Sequence, residues 1–144
     1  MTDIGFYHCT RTPAADAALK LVVRAHASGA RVLLWADEVA LTAMDAALWS
    51  FDAASFVPHG RDDAARQPVL LASEPQALNG ADHLISLGRG VPPGFEGFTR
   101  LFNLFEEGSD AHARARADWK AIGGRDGVTR TYWQQGERGW QKAG

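Results

Sequence analysis

Arg31-Val32-Leu33-Leu34-Trp35 reads as a strand, and the residues after it, Ala36-Asp37, read as the start of a helix. The run Val32-Leu33-Leu34-Trp35 has no polar alternation. A strand with one wet face alternates, whereas a strand covered on both faces reads as continuous apolar sequence. That pattern belongs to a parallel sheet sandwiched by helices. Pro68-Val69-Leu70-Leu71-Ala72 and His83-Leu84-Ile85-Ser86-Leu87 repeat it downstream. The short aromatic-rich segment 4–8 and Arg100-Leu101-Phe102-Asn103-Leu104-Phe105 bring the expectation to about five strands.

Helical patterns lie between them. Thr12 is the expected N-cap of the first helix, with Pro13 in its first turn. Leu19, Val22, Val23 and His26 form its apolar stripe, and Gly29 ends it. Asp37 is placed to cap the second helix, whose stripe is Leu41, Met44 and Leu48, extended by Trp49. A looser stretch follows over 51–67, and a Gly/Pro loop spans 88–94. The third helix is expected over about 109–122, stopped by Gly123-Gly124. Residues 131–144 are aromatic and polar without a clear period. Early alternation of strand and helix gives an α/β class: a mostly parallel sheet with helices on both faces.

The 144 residues suit one domain, 1–144, and 46% apolar content is enough for a core. A single cysteine, Cys9, rules out an internal disulfide or a cysteine-based zinc site. No apolar run reaches the length of a membrane span, and Met1 to Tyr7 lack the basic and apolar parts of a secretory signal. The expectation is a cytoplasmic protein. The formal charge of −2 is uneven. Residues 1–108 hold 8 basic and 13 acidic side chains, whereas residues 109–144 hold 7 basic and 4 acidic ones. A basic end on an acidic body fits either an anionic partner or ordinary surface charge.

An α/β sheet invites a nucleotide-enzyme reading, but its parts are missing. The first strand leads into His8-Cys9-Thr10-Arg11-Thr12-Pro13, with no glycine to let a backbone approach a pyrophosphate. Gly88-Arg89-Gly90 runs into Pro92-Pro93, which have no N–H to offer. The five histidines (8, 26, 59, 83, 112) show no metal-ligand spacing. His26 is expected in the core, and His83 in a hydrogen bond. His8 and Cys9 are strand neighbours and point to opposite faces, so they make a poor base and nucleophile. An enzyme that used the strand-end crevice would draw on His8, Cys9 and Arg89. On this count no cofactor, no metal and no catalytic residue is expected.

Positive signals lie elsewhere. Arg116, Trp119 and Lys120 stand at i, i+3 and i+4 on the third helix, hence on one face. Two cations beside an indole can take an acidic peptide end that carries an aromatic. Equally, Trp119 could belong to the core with Ala111, Ala115 and Ile122. Leu48-Trp49-Ser50-Phe51 and Ser55-Phe56-Val57-Pro58-His59 hold three large aromatics close together, either as core closure or as a partner surface. Direct DNA binding by the basic C-terminal third is a minor reading.

Several segments, in order, resemble the chi subunit of the bacterial DNA polymerase III holoenzyme. They are Phe6-Tyr7, Gly29-Ala30-Arg31-Val32-Leu33, Asp45-x-x-Leu48-Trp49, Ser55-Phe56-Val57-Pro58-His59, Leu84-Ile85-Ser86-Leu87, Arg116-x-x-Trp119-Lys120 and Tyr132-Trp133-Gln134-Gln135. The resemblance implies a three-layer Rossmann-like fold that carries no nucleotide. It also implies a non-catalytic adaptor of DNA replication in the bacterial cytoplasm, associated with the clamp loader. That adaptor would join the psi subunit to the acidic, Phe-ended C-terminal tail of single-stranded-DNA-binding protein, and would reach DNA only through that protein. The tail-binding residues carry over to Arg116, Trp119 and Lys120, and the psi contact to Phe56 with Trp49 and Val57. The chain departs from the pattern at Ile122-Gly123, where some relatives have an aromatic and an arginine.

Overall fold

The computed structural model describes residues 1–52 and 56–144. Its elements follow in the order β1 (Thr2–Cys9), α1 (Ala14–Ala27), β2 (Val32–Trp35), α2 (Glu38–Ser50), β3 (His59–Gly60), β4 (Val69–Ala72), β5 (His83–Leu87), β6 (Arg100–Glu106), α3 (Asp110–Ile122), β7 (Val128–Gly136) and β8 (Gly139–Lys142). One sheet of eight strands runs β3-β4-β2-β5-β6-β1-β7-β8. Every pairing is parallel except the β7–β8 hairpin. The mixed α/β class holds, but the expected five strands are too few. The sheet gains β3 in the looser stretch and β7 and β8 at the C-terminal end.

The continuous apolar runs have the cause inferred for them. Val32 and Leu34 of β2 join the core under α1 and α2, with Val22, Leu41, Met44 and Leu48. Leu33 and Trp35 point the other way, into the core shared with Ala115 and Ile122 of α3. Both faces are therefore covered, and period-2 alternation puts apolar residues on each. A fully buried Leu contributes about 1.5–3 kcal/mol relative to exposure, so this double core carries the stability.

The helix ends show where sequence signals suffice. Asp37 caps α2, accepting from Ala40 N–H at 2.8 Å, and Ser109 caps α3, accepting from His112 N–H at 3.2 Å. Gly29, at φ 89°, follows α1, and Gly29 N–H and Ala30 N–H donate back to His26 O and Ala25 O. This is the paired-bond ending that favours glycine. Thr12 is not the cap of α1. Pro13 occupies that position without a side-chain bond, and Ala14 N–H donates instead to Glu106 Oε2 of β6 at 2.8 Å.

Trp49 does not extend the buried stripe of α2, because it is 62% exposed. His26 is only half-buried and stands outside the core. His83 lies 3.1 Å from Asp82 Oδ1 through Nδ1. Among the described residues no helix is long and apolar enough to cross a membrane.

Candidate functional site

The α3 face is built from both ends of the chain. β1 and β7 pair in parallel, Phe6 opposite Tyr132, and both side chains rise toward α3. The Trp119 ring meets Phe6 edge-on at 5.2 Å and Tyr132 at 5.7 Å. It is half-buried, wedged by these two rings yet still reached by solvent. Arg116 and Lys120 on the same helix are exposed. The three residues singled out therefore all lie on α3, the indole half-buried and the two cations exposed.

It also adds a residue that the sequence reading missed. Arg130 of β7 sets its guanidinium carbon 3.9 Å from the centre of the Trp119 ring, and its Nη1 donates to the Trp119 carbonyl. Gly123 makes the room, since a Cβ there would lie 2.8 Å from Arg130 Nη2. A cation over an indole face contributes about 0.5–2 kcal/mol, depending on its desolvation. The chain end adds a cover: Tyr132 exchanges backbone hydrogen bonds with Ala143 and Gly144. A Cβ on Gly144 would lie 3.4 Å from the indole.

Beneath this face lies a cluster of rings. His8 Nδ1 sits 3.1 Å from Tyr132 Oη, and the His8 and His112 rings are 4.3 Å apart. His112 Nδ1 accepts from Gly108 N–H at 3.1 Å. Burial pushes the His8 pKa below its usual value. The nearby His112 and Arg116 act the same way, and Glu107, 3.8 Å from Nε2, opposes them. Burial likewise raises the Tyr132 phenol, with Arg116 opposing. Arg116 acts electrostatically on both His8 and Tyr132 of this cluster and is itself exposed.

A second surface forms at the far margin of the sheet. Trp49 ends α2, and Phe56 lies in the loop beyond it. Their rings are 4.9 Å apart, and Phe56 is 52% exposed. His59, whose side chain is fully buried, clamps the loop. Its Nδ1 lies 2.7 Å from Val57 O, and its Nε2 3.1 Å from Asp45 Oδ1. Val57 is 4% exposed and belongs to the core. It therefore holds the patch from below rather than offering a side chain to a partner. Ser55 of this motif lies outside the described residues.

The strand-end crevice is satisfied by the chain itself. Thr10, Arg11 and Thr12 N–H groups, where a phosphate would be cradled, all donate to Gln135 Oε1 at 2.9–3.2 Å. The α1 N-terminus is taken by the Glu106 carboxylate. A nearby cavity of about 250 Å³ is lined by Ala14, Ala40, Leu87, Gly88, Glu106 and Ser109, among others. It offers an incoming phosphate an acidic wall. His8, Cys9 and Arg89 are not brought together. His8 packs on the α3 side, Cys9 is buried in the α1 core, and Arg89 stands over Trp35. Burial, with Glu106 and Asp16 nearby, pushes the Cys9 thiol up to about 12. Such a thiol is not a nucleophile at neutral pH. Among the described residues no group of three or more His, Cys, Asp or Glu could hold a metal ion.

The sequence profile of the family DNA polymerase III chi subunit, HolC, matches residues 1–129. DNA polymerase III subunit chi of Pseudomonas aeruginosa is 33% identical over 115 residues, covering 74% of this chain and 79% of that one.

Proposed function

The chain belongs to the DNA polymerase III chi subunit family, and from that premise we propose that it is a non-catalytic adaptor of the replicative holoenzyme. In this reading residues 1–144 act as one domain in the bacterial cytoplasm. It joins the clamp-loader assembly through psi and holds the acidic, Phe-ended C-terminal tail of single-stranded-DNA-binding protein.

The observation that carries the reading is the half-buried Trp119 indole with Arg130 over its ring and the exposed Arg116 and Lys120 at helical spacing on the same face of α3. A terminal Phe stacks or wedges against the indole, and the tail carboxylates pair with the cations. Exposed ion pairs are each worth about 0.2–1 kcal/mol, so binding is weak and salt-sensitive. Several tails on one coated strand raise the effective affinity without new contacts. The paired rings of Trp49 and Phe56 suit a partner that buries apolar surface, and we assign them to psi.

A pull-down with single-stranded-DNA-binding protein that keeps or lacks its last residues tests the tail assignment. Capture is expected only with the tail present. Equal capture of both forms would remove α3 as the docking face.

A further inference from the structure

The sheet face that carries α1, opposite the Trp119 face, holds two adjoining clefts. The larger, of about 390 Å³, runs between α1 and β8 and is lined by Tyr7, Arg11, Lys20, Arg24 and Trp140, among others. The smaller, of about 190 Å³, continues it past Arg24 to His83, Arg100 and Phe102. Tyr7, Leu21 and Arg24 line both, so the two form one trough. Arg11, Lys20, Arg24 and Arg100 line it, and no carboxylate does so among the described residues. This is a local excess in a chain of net charge −2.

The cations are available. Lys20, Arg24 and Arg100 are exposed and have no ion pair among the described residues. Arg11 meets Glu137 at 3.9 Å, with Glu137 86% exposed at the rim. Lys20 and Arg24 stand one helical turn apart, a repulsion that costs a helix a few tenths of a kcal/mol unless an anion lies between them. Burial raises the Tyr7 phenol; Arg100 and Arg24 oppose that from the trough, and the Asp3 carboxylate adds to it. Trp140 meets Tyr7 edge-on at 5.2 Å, and both rings are half-buried in the trough wall.

A row of cations along a groove, with aromatic rings in its wall, is how sequence-tolerant sites hold single strands. We infer that this trough binds single-stranded nucleic acid, with phosphates on Arg11, Lys20, Arg24 and Arg100 and a base against Tyr7 and Trp140. An acidic peptide without an aromatic would leave the ring pair idle, and the Phe-ended tail peptide is the competitor that the test includes. The site lies on the opposite face from the tail site and does not depend on that assignment.

Fluorescence anisotropy of a labelled oligothymidylate with the full chain tests it. Saturable binding is expected at low salt. Four phosphate contacts give a slope of log affinity on log salt near about −3. Arg24→Glu with Arg100→Glu should weaken binding by about tenfold or more and flatten the slope, while calorimetry with the tail peptide stays unchanged. Trp140→Ala should cost about fivefold or more and leave the slope intact. Circular dichroism melts confirm that each variant is folded. A saturating tail peptide should not displace the oligonucleotide. No binding at low salt would overturn the inference. So would displacement by an acidic peptide at comparable affinity, or binding that survives the double reversal and vanishes in Lys120→Glu.

Discussion

Arg130 sits 3.9 Å over the Trp119 ring and donates to that residue's own carbonyl, in space that Gly123 leaves open. A β-strand residue thus supplies a cation at the helix face. Arg130→Leu should weaken the tail peptide by about fivefold at low salt, with less loss at high salt, as calorimetry would read. Lys120→Ala and Arg116→Ala should each do the same while melting as the wild type does. Gly123→Arg should displace Arg130 from the ring. Combined with Arg130→Leu, it should restore binding if position matters less than charge.

Phe56→Ala removes an exposed ring and should lower co-purification with psi. The melting temperature and the affinity for the tail peptide should stay unchanged. Val57→Ala works through the core. It should cost about 1–2.5 kcal/mol in denaturant titrations, with psi binding weakened only as far as the loop loosens.

Gln135 accepts from three consecutive backbone N–H groups after β1. Gln135→Ala leaves them without that partner. The expected loss is about 1–3 kcal/mol of stability, with faster amide exchange at residues 10–12. Gln135→Glu keeps the acceptor and should lose less.

His8 fixes a pH dependence. Burial first, then His112 and Arg116, hold its pKa below the usual value, with Glu107 opposing and Tyr132 bonded to it. The unfolded chain takes a proton near pH 6.5, and the folded one only at lower pH. Between those values the unfolded state binds more protons, so stability falls as the pH drops through that window and is unaffected above it. Guanidinium titrations at about pH 5.5 and about pH 7.5 should show the fall. It should shrink in His8→Gln.

Cys9 is buried, and its thiol is pushed up to about 12. At about pH 8 it should resist a disulfide reagent in the native protein and react at once in denaturant. Rapid native labelling would revive a reactive cysteine.

The parts legible in sequence are those fixed locally. The apolar runs of β2, β4 and β5 announce burial on both faces. Asp37 and Ser109 announce helix starts, and Gly29 announces a helix end. Thr12 fails as a cap because a remote carboxylate, Glu106, takes the first amide of α1. β7 was invisible because its aromatics divide between the faces: Tyr132 packs on Trp119, and Trp133 on Tyr7. The hairpin that follows turns on Glu137-Arg138, not on a signature pair. Arg116, Trp119 and Lys120 were readable because helical spacing is short-range. Arg130 was not, since only the pairing of β7 with β1 delivers it to α3.

The strand order places β3 and β7 six steps apart, about 29 Å at the usual inter-strand distance. α2 with Trp49 rides near one margin, and Trp119 near the other. Molecules tethered at the two margins would be kept apart by a stiff spacer, so loading one should neither crowd nor loosen the other. Their free energies of attachment should simply add.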